Sequence, residues 1–386
     1  MDFSLNSDQD FLRRTVRAFA ETEIGPHVLG WDEAQRFPTE LMPKLAALGL
    51  MGVQVPEEYG GAGLSMLDYC VCIEELARVC PGVTLSVLAH NGLCAAHIAR
   101  FGSDAQKRRF LTPLARGQAI GAWALTESSS GSDAVNMRTT AAFDGSGWVL
   151  NGSKVFTTNG AIGDIVVVTA VTDRAKGSRG ISTFIVPKTT PGLRPGRKEN
   201  KLGMRASDTS ELIFTDCRVP ADQLLGEEDR GFVDVMQMLD SGRIGLAALS
   251  VGLAQGAHDA AYRYAETRVA FGKPIVTFPA IQAKLADSAT QIAAARMMTY
   301  KAACAKDQGE PITLLAAMAK LFASEVAVRV ADEGVQIHGG YGFVKDYPAE
   351  KYYRDVKLLT IGEGTSEIQR LVIARELARA RTPVAV

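Results

Sequence analysis

Apolar residues recur at i, i+3 and i+4 from Asp8 to about Gly117, with Leu41–Leu50 and Leu67–Val79 as examples. That period predicts amphipathic helices, and Pro26, Pro38, Pro43, Pro56 and the glycines of 59-YGGAG-63 predict tight joints between them. Between about Gly121 and Pro220 the pattern shortens to β-branched runs at Ile165–Val171, Ile181–Val186 and Glu211–Thr215. Trp148–Leu150 and Lys154–Thr157 flank Asn151-Gly152, a dipeptide suited to a hairpin turn, so a small and mostly antiparallel sheet is expected.

After Gly226 the helical period returns in longer pieces. Leu239 to Arg268 would span about 45 Å at 1.5 Å per residue. Ala280 to Lys306, Thr313 to Ile337 and Ser366 to Ala380 complete a set that favours a four-helix bundle. Gly242, Gly245, Gly252 and Gly256 weaken the first of these helices, which predicts close backbone packing along it. The fold class is therefore α+β, mainly α. The expected domains are an N-terminal α-helical domain at 1–120, a middle β-sheet domain at 121–225 and a C-terminal four-helix bundle at 226–386.

Composition narrows the function classes. The 386 residues are 47% hydrophobic and 22% charged, with 42 basic and 43 acidic side chains and a net charge of −1. Such balance argues against nucleic-acid binding through a broad positive field. The cluster Arg194, Arg197, Lys198, Lys201 and Arg205 reads as a solvated loop. The N-terminus has neither a secretory h-region nor an Arg-rich transit pattern, and no run is read as reaching the roughly 18 apolar residues of a membrane span. Six cysteines form no C-x-x-C pair and five histidines form no H-E-x-x-H, so a metal site is not expected and a cytoplasmic, reducing location is.

The common nucleotide fingerprints G-x-G-x-x-G and G-x-x-x-x-G-K-[ST] are missing. Two glycine-bearing stretches could cradle a ligand instead. One is 123-WALTESSSGSD-133, which crowds Thr126, Ser128, Ser129, Ser130 and Ser132 around Gly131; it could equally be a polar turn. The other is 336-QIHGGYGF-343, where Gly339 and Gly340 could end a helix or admit a pyrophosphate. A third stretch, 361-IGEGTSEIQR-370, sets Glu363 between two glycines ahead of a helix. Glu363 could favour the positive end of that helix, although Thr365 and Ser366 could cap it alone.

Taken in order, VPEEYGGAGLS (55–65), FGSDAQK (101–107), WALTESSSGSD (123–133), LNGSKVFTTNG (150–160), KLGMRASDT (201–209), LDSGRIG (239–245), RVAFGKPI (268–275), QIHGGYGF (336–343) and IGEGTSEIQR (361–370) resemble the flavin-dependent acyl-CoA dehydrogenase family. The resemblance runs nearly the whole length. It implies the same three-domain fold, a homotetramer, one FAD per subunit, an acyl-CoA substrate and an electron-transfer flavoprotein as acceptor. By that resemblance Trp123, Leu125 and Thr126 match the loop against the flavin ring, and Ser132 a residue between flavin and substrate. Phe156, Thr157 and Thr158 match a W-I-[ST] segment with Phe for the usual Trp.

Arg268 and Phe271 match an element reaching the FAD of a partner subunit. Gln336, Gly339 and Gly340 match a loop on its diphosphate and adenine half. Thr365 and Glu367 match polar contacts beside the base. Asp240 and Arg243 match contacts to the CoA pantetheine, and Gly362 and Gly364 flank the reacting carbons. Pro279 stands where the family often has Gln, and Ser128 where it often has Pro.

The implied reaction is α,β-dehydrogenation to a trans-2-enoyl-CoA. It requires a base within about 3 Å of a weakly acidic α-proton, shielded from water. A carboxylate whose pKa is raised by burial suits that task. Glu363 matches the family's base. Isovaleryl-type members carry theirs just before the Arg of LDSGR, where this chain has Gly242, so no rival carboxylate exists. Straight-chain members commonly have Tyr at position 362, so Gly362 implies either a pocket suited to short, branched or bulky acyl groups or a space that a neighbouring side chain fills. His90 and Asn91 could touch the acyl tail but read more simply as a polar helix face. An oxidase reducing O2 directly, and a non-catalytic or nucleic-acid-binding flavoprotein of the same fold, stand as alternatives; the balanced charge argues against the latter.

Overall fold

The structure is a computed structural model that describes residues 4–379. The first three residues and Ala380, the expected end of the last helix, lie outside the described residues. The first helix used below, α1 (Ser7–Phe19), starts on an Asn6 cap that accepts from the Gln9 N–H while Gln9 reaches back to Asn6. Ser65 and Asp68 make the same reciprocal cap for α2 (Met66–Val79). Next comes α3 (Pro81–Phe101), in which a π-helical stretch, Ala89–Ala95, interrupts α-helix on both sides.

With a mean hydropathy of 1.2 over 18 residues, α3 is long and apolar enough to cross a membrane, which corrects the expectation that no run reaches that length. Val83, Leu85, Val87, Leu88, Leu93, Cys94, Ile98 and the alanines keep it apolar without one long aliphatic run. Inside the fold 89% of that window is buried, as befits the core helix of a globular protein.

The sheet comprises β1 (Gly121–Ala124), β2 (Thr140–Phe143), β3 (Gly147–Thr158), β4 (Ile165–Val171), β5 (Ile181–Pro187), β6 (Leu193–Lys198), β7 (Thr209–Pro220) and β8 (Leu224–Leu225). Its order is β6-β7-β3-β2-β4-β5-β8, and β1 pairs with β4 in parallel, so the pairing is mostly antiparallel as expected. Asn151-Gly152 is not a hairpin turn. It lies inside β3, where the register against β7 shifts between Leu150 and Gly152. Gly152 has φ 145°, and a Cβ there would stand 2.6 Å from Thr139 Oγ1, so close packing at a bulge demands the glycine.

The basic cluster is also not simply a solvated loop. Arg194, Arg197 and Lys198 lie on β6, paired only with β7, where charge guards an open edge. Lys201 instead closes its own loop onto Ser207 O at 2.7 Å, and Arg205 ties that loop to the carbonyl of helical Asp32 at 3.1 Å.

The bundle consists of α4 (Gly231–Thr267), α5 (Pro279–Asp307), α6 (Thr313–His338) and α8 (Ser366–Arg379), with the short α7 (Ala349–Val356) between the last two. Helix α4 begins eight residues before Leu239. A Cβ at Gly231 would stand 2.7 Å from Thr183 Oγ1, so its first turn is pressed onto β5. The expected close packing is present: side chains at Gly252 and Gly256 would collide with the carbonyl oxygens of Glu74 and Arg78 on α2. One hydrophobic core runs through α2, α3, α4 and α6. All six cysteines are free, five of them buried within it or the neighbouring cores.

Candidate active site

Glu363 sits in the turn between α7 and α8 with φ 51°, a left-handed conformation that a residue with a side chain adopts only at a cost. Gly364 follows with φ 94°, and a Cβ there would stand 2.7 Å from Gln369 Nε2. Gly364 is thus required by backbone and packing together. Two donors hold the strained turn by its carbonyls. Lys320 Nζ of α6 donates to Gly364 O at 2.7 Å, and Gln369 Nε2 of α8 donates to Gly364 O at 3.0 Å and Glu363 O at 3.3 Å. Thr365 Oγ1 caps α8 by accepting from the Ile368 N–H at 3.3 Å, so the helix does not use the Glu363 carboxylate.

That carboxylate turns toward α4. The residue keeps a partly open edge, yet Oε2 is enclosed and has no hydrogen-bond partner among the described residues. A Cβ at Gly242 would collide with Oε2 and come within 3.2 Å of Leu93 Cδ2. Positions 242 and 363 therefore aim at one point, and the missing side chain at 242 leaves it to Glu363. Burial pushes the Glu363 carboxyl up to about 7, against the pull of Lys320 and Arg243. Burial in turn draws Lys320 down to about 8 and lowers Arg243. Arg243 Nη1 pairs with Asp240 Oδ1 at 2.7 Å, and Thr313 Oγ1 holds the other Asp240 oxygen at 2.7 Å.

A second group forms where β1 and β3 meet. Trp123, Leu125 and Thr126 extend from β1, and Thr126 O accepts from the Val155 N–H at 2.8 Å, which sets Phe156 beside the loop. Phe156 has φ 55° at a second register shift in β3 and remains 64% exposed. Thr157 Oγ1 next to it is buried without a partner among the described residues, and Thr158 closes the strand. Lys154 braces the loop from beneath, donating to Leu125 O at 3.0 Å and Glu127 Oε1 at 2.8 Å. Ser132 lies exposed further along the same loop.

Helix α3 spans from this group to the first. His97 Nδ1 accepts from the Trp123 indole N–H at 3.0 Å, while Leu93, one turn back, lies beside Gly242. Accepting that bond requires a neutral imidazole, which burial secures by drawing His97 down to about 3. His90 and Asn91 do not form a polar surface. Both are buried, and they bond the backbones of Met51, Gly121, Leu50 and Val53.

The remaining predicted residues lie elsewhere on the chain. Arg268, Gly339 and Gly340 line a cleft of about 600 Å³ with Tyr264, His338 and Tyr341. Gln336 is exposed one helical turn before that cleft's glycines. A Cβ at Gly340 would meet nothing within 4 Å, so the fold itself does not require glycine there. Thr365 and Glu367 line a separate cleft of about 390 Å³ with Lys357 and Arg370. Phe271 projects from a two-stranded ribbon (Val269–Ala270 with Lys273–Pro274) at 96% exposure.

Family models described as acyl-CoA dehydrogenase N-terminal, middle and C-terminal domains match residues 6–118, 122–217 and 229–378. The chain belongs to the acyl-CoA dehydrogenase family. It is 45% identical over 379 residues to a short-chain specific acyl-CoA dehydrogenase of Clostridium acetobutylicum, covering 98% of this chain and all of that one. Butyryl-CoA dehydrogenase from Megasphaera elsdenii superposes with a TM-score of 0.96 at 44% identity, over 98% of this chain and all of the other. A chain from a structure of the electron transferring flavoprotein of Acidaminococcus fermentans superposes at 0.97 and 46% identity, over 99% and 100%.

Within this family fold the turn at Glu363 depends on two residues that sequence reasoning passed over, Lys320 and Gln369. Lys320 had a signal. It is a lone cation among Ala316, Ala317, Ala323 and Ser324, all buried on the same side of α6. Gln369 had none, because a glutamine in a short helix reads as surface.

Proposed function

We propose that this chain dehydrogenates short acyl-CoA thioesters to trans-2-enoyl-CoA, with Glu363 as the base that removes the α-proton. The observation that carries the reading is the enclosed, unpartnered Oε2 of Glu363, raised toward neutrality by burial. A carboxylate near neutral pKa can hold a proton taken from carbon and release it again. Lys320 and Gln369 fix the turn through its carbonyls rather than its N–H groups.

FAD suits the second group: an exposed aromatic, an unpartnered Thr157 hydroxyl and the Thr126 loop offer a ring face and polar contacts. When bound, the flavin supplies the acceptor for the β-hydride. Trp123, Leu125, Thr126, Ser132, Phe156, Thr157 and Thr158 would hold the ring side. Arg268, Phe271, Gln336, Gly339, Gly340, Thr365 and Glu367 would hold the remainder. Because these residues fall into separate places on one chain, a homotetramer that brings copies together is part of the proposal. Asp240 and Arg243 would meet the CoA arm. An electron-transfer flavoprotein is the proposed acceptor, supported by the likeness to the Acidaminococcus structure. Six free cysteines support a reducing, cytoplasmic setting.

Gly362 widens the proposed pocket. A Cβ there would meet only Leu358, at 3.6 to 3.8 Å, so neither packing nor backbone excludes a side chain. A side chain could stand at 362 without a clash, so its absence beside the base supports acceptance of branched short chains. The test is anaerobic bleaching of the yellow enzyme by butyryl-, isobutyryl- and 2-methylbutyryl-CoA. Both branched substrates should bleach within tenfold of butyryl-CoA, and failure of both would remove the wide-pocket reading. Glu363→Gln should stay yellow and lose about 10³-fold in bleaching rate. Near-normal bleaching would sink the assignment of the base. Hydrogen peroxide formed stoichiometrically in air would favour the oxidase alternative.

A further inference from the structure

Tyr69 belongs to neither group, yet it lies close to Glu363. It rises from α2, is 1% exposed, and its hydroxyl has no hydrogen-bond partner among the described residues. A buried hydroxyl without a partner is disfavoured in a core that needs only an aromatic ring. Both helices facing it carry glycine where it approaches. A Cβ at Gly245 of α4 would stand 3.2 Å from Tyr69 Cε1 and 3.7 Å from its hydroxyl. A Cβ at Gly92 of α3 would stand 3.1 Å from the same hydroxyl.

Gly242 and Gly245 are three residues apart, so they share one face of α4. The Glu363 carboxylate occupies the space over Gly242, and the Tyr69 ring that over Gly245. The two positions are separated by about 4.5 Å along the helix axis, so the ring stands within one helical turn of the carboxylate and leaves room for only a short acyl tail beside α4. Leu93 approaches the Gly242 end and Leu88 Cδ1 the Gly245 end, at 3.2 and 3.5 Å from the respective Cβ positions. Base, apolar flank and phenol thus follow one another along a single helix face.

We infer that Tyr69 closes the far end of the acyl pocket and sets the longest straight chain it admits. The inference rests on the dehydrogenase reading, because it takes Glu363 to mark the α-carbon. The ring acts by occupying the volume that carbons beyond the butyryl terminus would need. Gly245 leaves the ring room to lie across that end, and Gly92 leaves room for its hydroxyl.

The experiment measures anaerobic bleaching of the FAD-loaded enzyme by propionyl-, butyryl-, hexanoyl- and octanoyl-CoA, for wild type, Tyr69→Ala and Gly245→Ala. Wild type should bleach at least tenfold faster with butyryl- than with hexanoyl-CoA. In Tyr69→Ala that ratio should fall at least tenfold, through a gain on hexanoyl-CoA. Gly245→Ala adds a methyl against the ring in a helix that tolerates alanine well, and should shift preference tenfold from butyryl- toward propionyl-CoA. A wild type that bleaches equally with all four substrates would overturn the inference. So would a Tyr69→Ala protein that loses rate in the same proportion on every chain, which is what a packing role alone produces. Should Tyr69→Ala fail to fold, an unchanged profile in Gly245→Ala overturns it. If no acyl-CoA bleaches wild type, the dehydrogenase reading has failed, an outcome distinct from a shared but unshifted profile.

Discussion

Glu363 combines three costs that a capping residue would not incur: a positive φ, an enclosed oxygen without a partner, and a pKa raised by burial. Their common consequence is a carboxylate with unused proton affinity near neutrality. The pH dependence follows from the sign of that shift. With Glu363 as the proposed base, only its ionised form is competent, so kcat/KM should fall about tenfold per pH unit below about 7 and level off above it. Stability should run the opposite way. A carboxyl whose folded pKa lies above its unfolded value of 4.5 binds its proton more tightly when folded. The fold is therefore favoured at acid pH and loses stability between about pH 4.5 and 7. Glu363→Gln should remove both dependences, as read by bleaching rate and by thermal melts across pH 5–9. A wild-type kcat/KM that remains flat from pH 8 down to 5 would show that the base titrates elsewhere.

At the scale of elements, α6 and α8 fix the base turn that α4 faces. Lys320→Met removes the donor to Gly364 O and one of the two cations that lower the Glu363 pKa. The bleaching rate should fall up to about 10²-fold through misplacement of the base, and its pH midpoint should move above 7. Lys320→Arg should recover the midpoint better than the rate. A slower enzyme with an unmoved midpoint would mean that Lys320 supports the turn without tuning the acid. The long helices α4, α5 and α6 were also the most legible in the sequence, since 26 or more residues of helical pattern leave little ambiguity. The glycines of α4 were legible for the same reason: a long helix tolerates them only where another backbone presses close. Asn151-Gly152 misled because its turn preference is local, whereas Thr139, just ahead of the neighbouring strand β2, decides what fits at Gly152. Glu363 stood out because its two neighbours lack side chains. Tyr69 did not, because one aromatic in an apolar helix resembles ordinary core until its unpaired hydroxyl is seen.

Across the whole molecule, the residues matched to the FAD diphosphate lie at an end of the bundle rich in exposed aromatics. Phe271 and Phe343 are 96% and 88% exposed, and Arg268 lies over the Tyr341 ring at 5.7 Å from its centroid. Isolated chains seldom leave such side chains in water without a partner surface. If a neighbouring copy covers this end and shares its cofactor, assembly and FAD binding must be linked, because each stabilises the state the other needs. Arg268→Ala should then preserve the tetramer at high protein concentration while weakening FAD about ten- to a hundredfold, the effect of losing a charged hydrogen bond. Phe271→Asp should break the assembly and release the flavin together, and excess FAD should restore part of both. Light scattering and flavin absorbance on the same samples read the two quantities. A Phe271→Asp protein that is fully dissociated yet holds FAD as tightly as wild type would separate them, and would place the whole cofactor site within one chain.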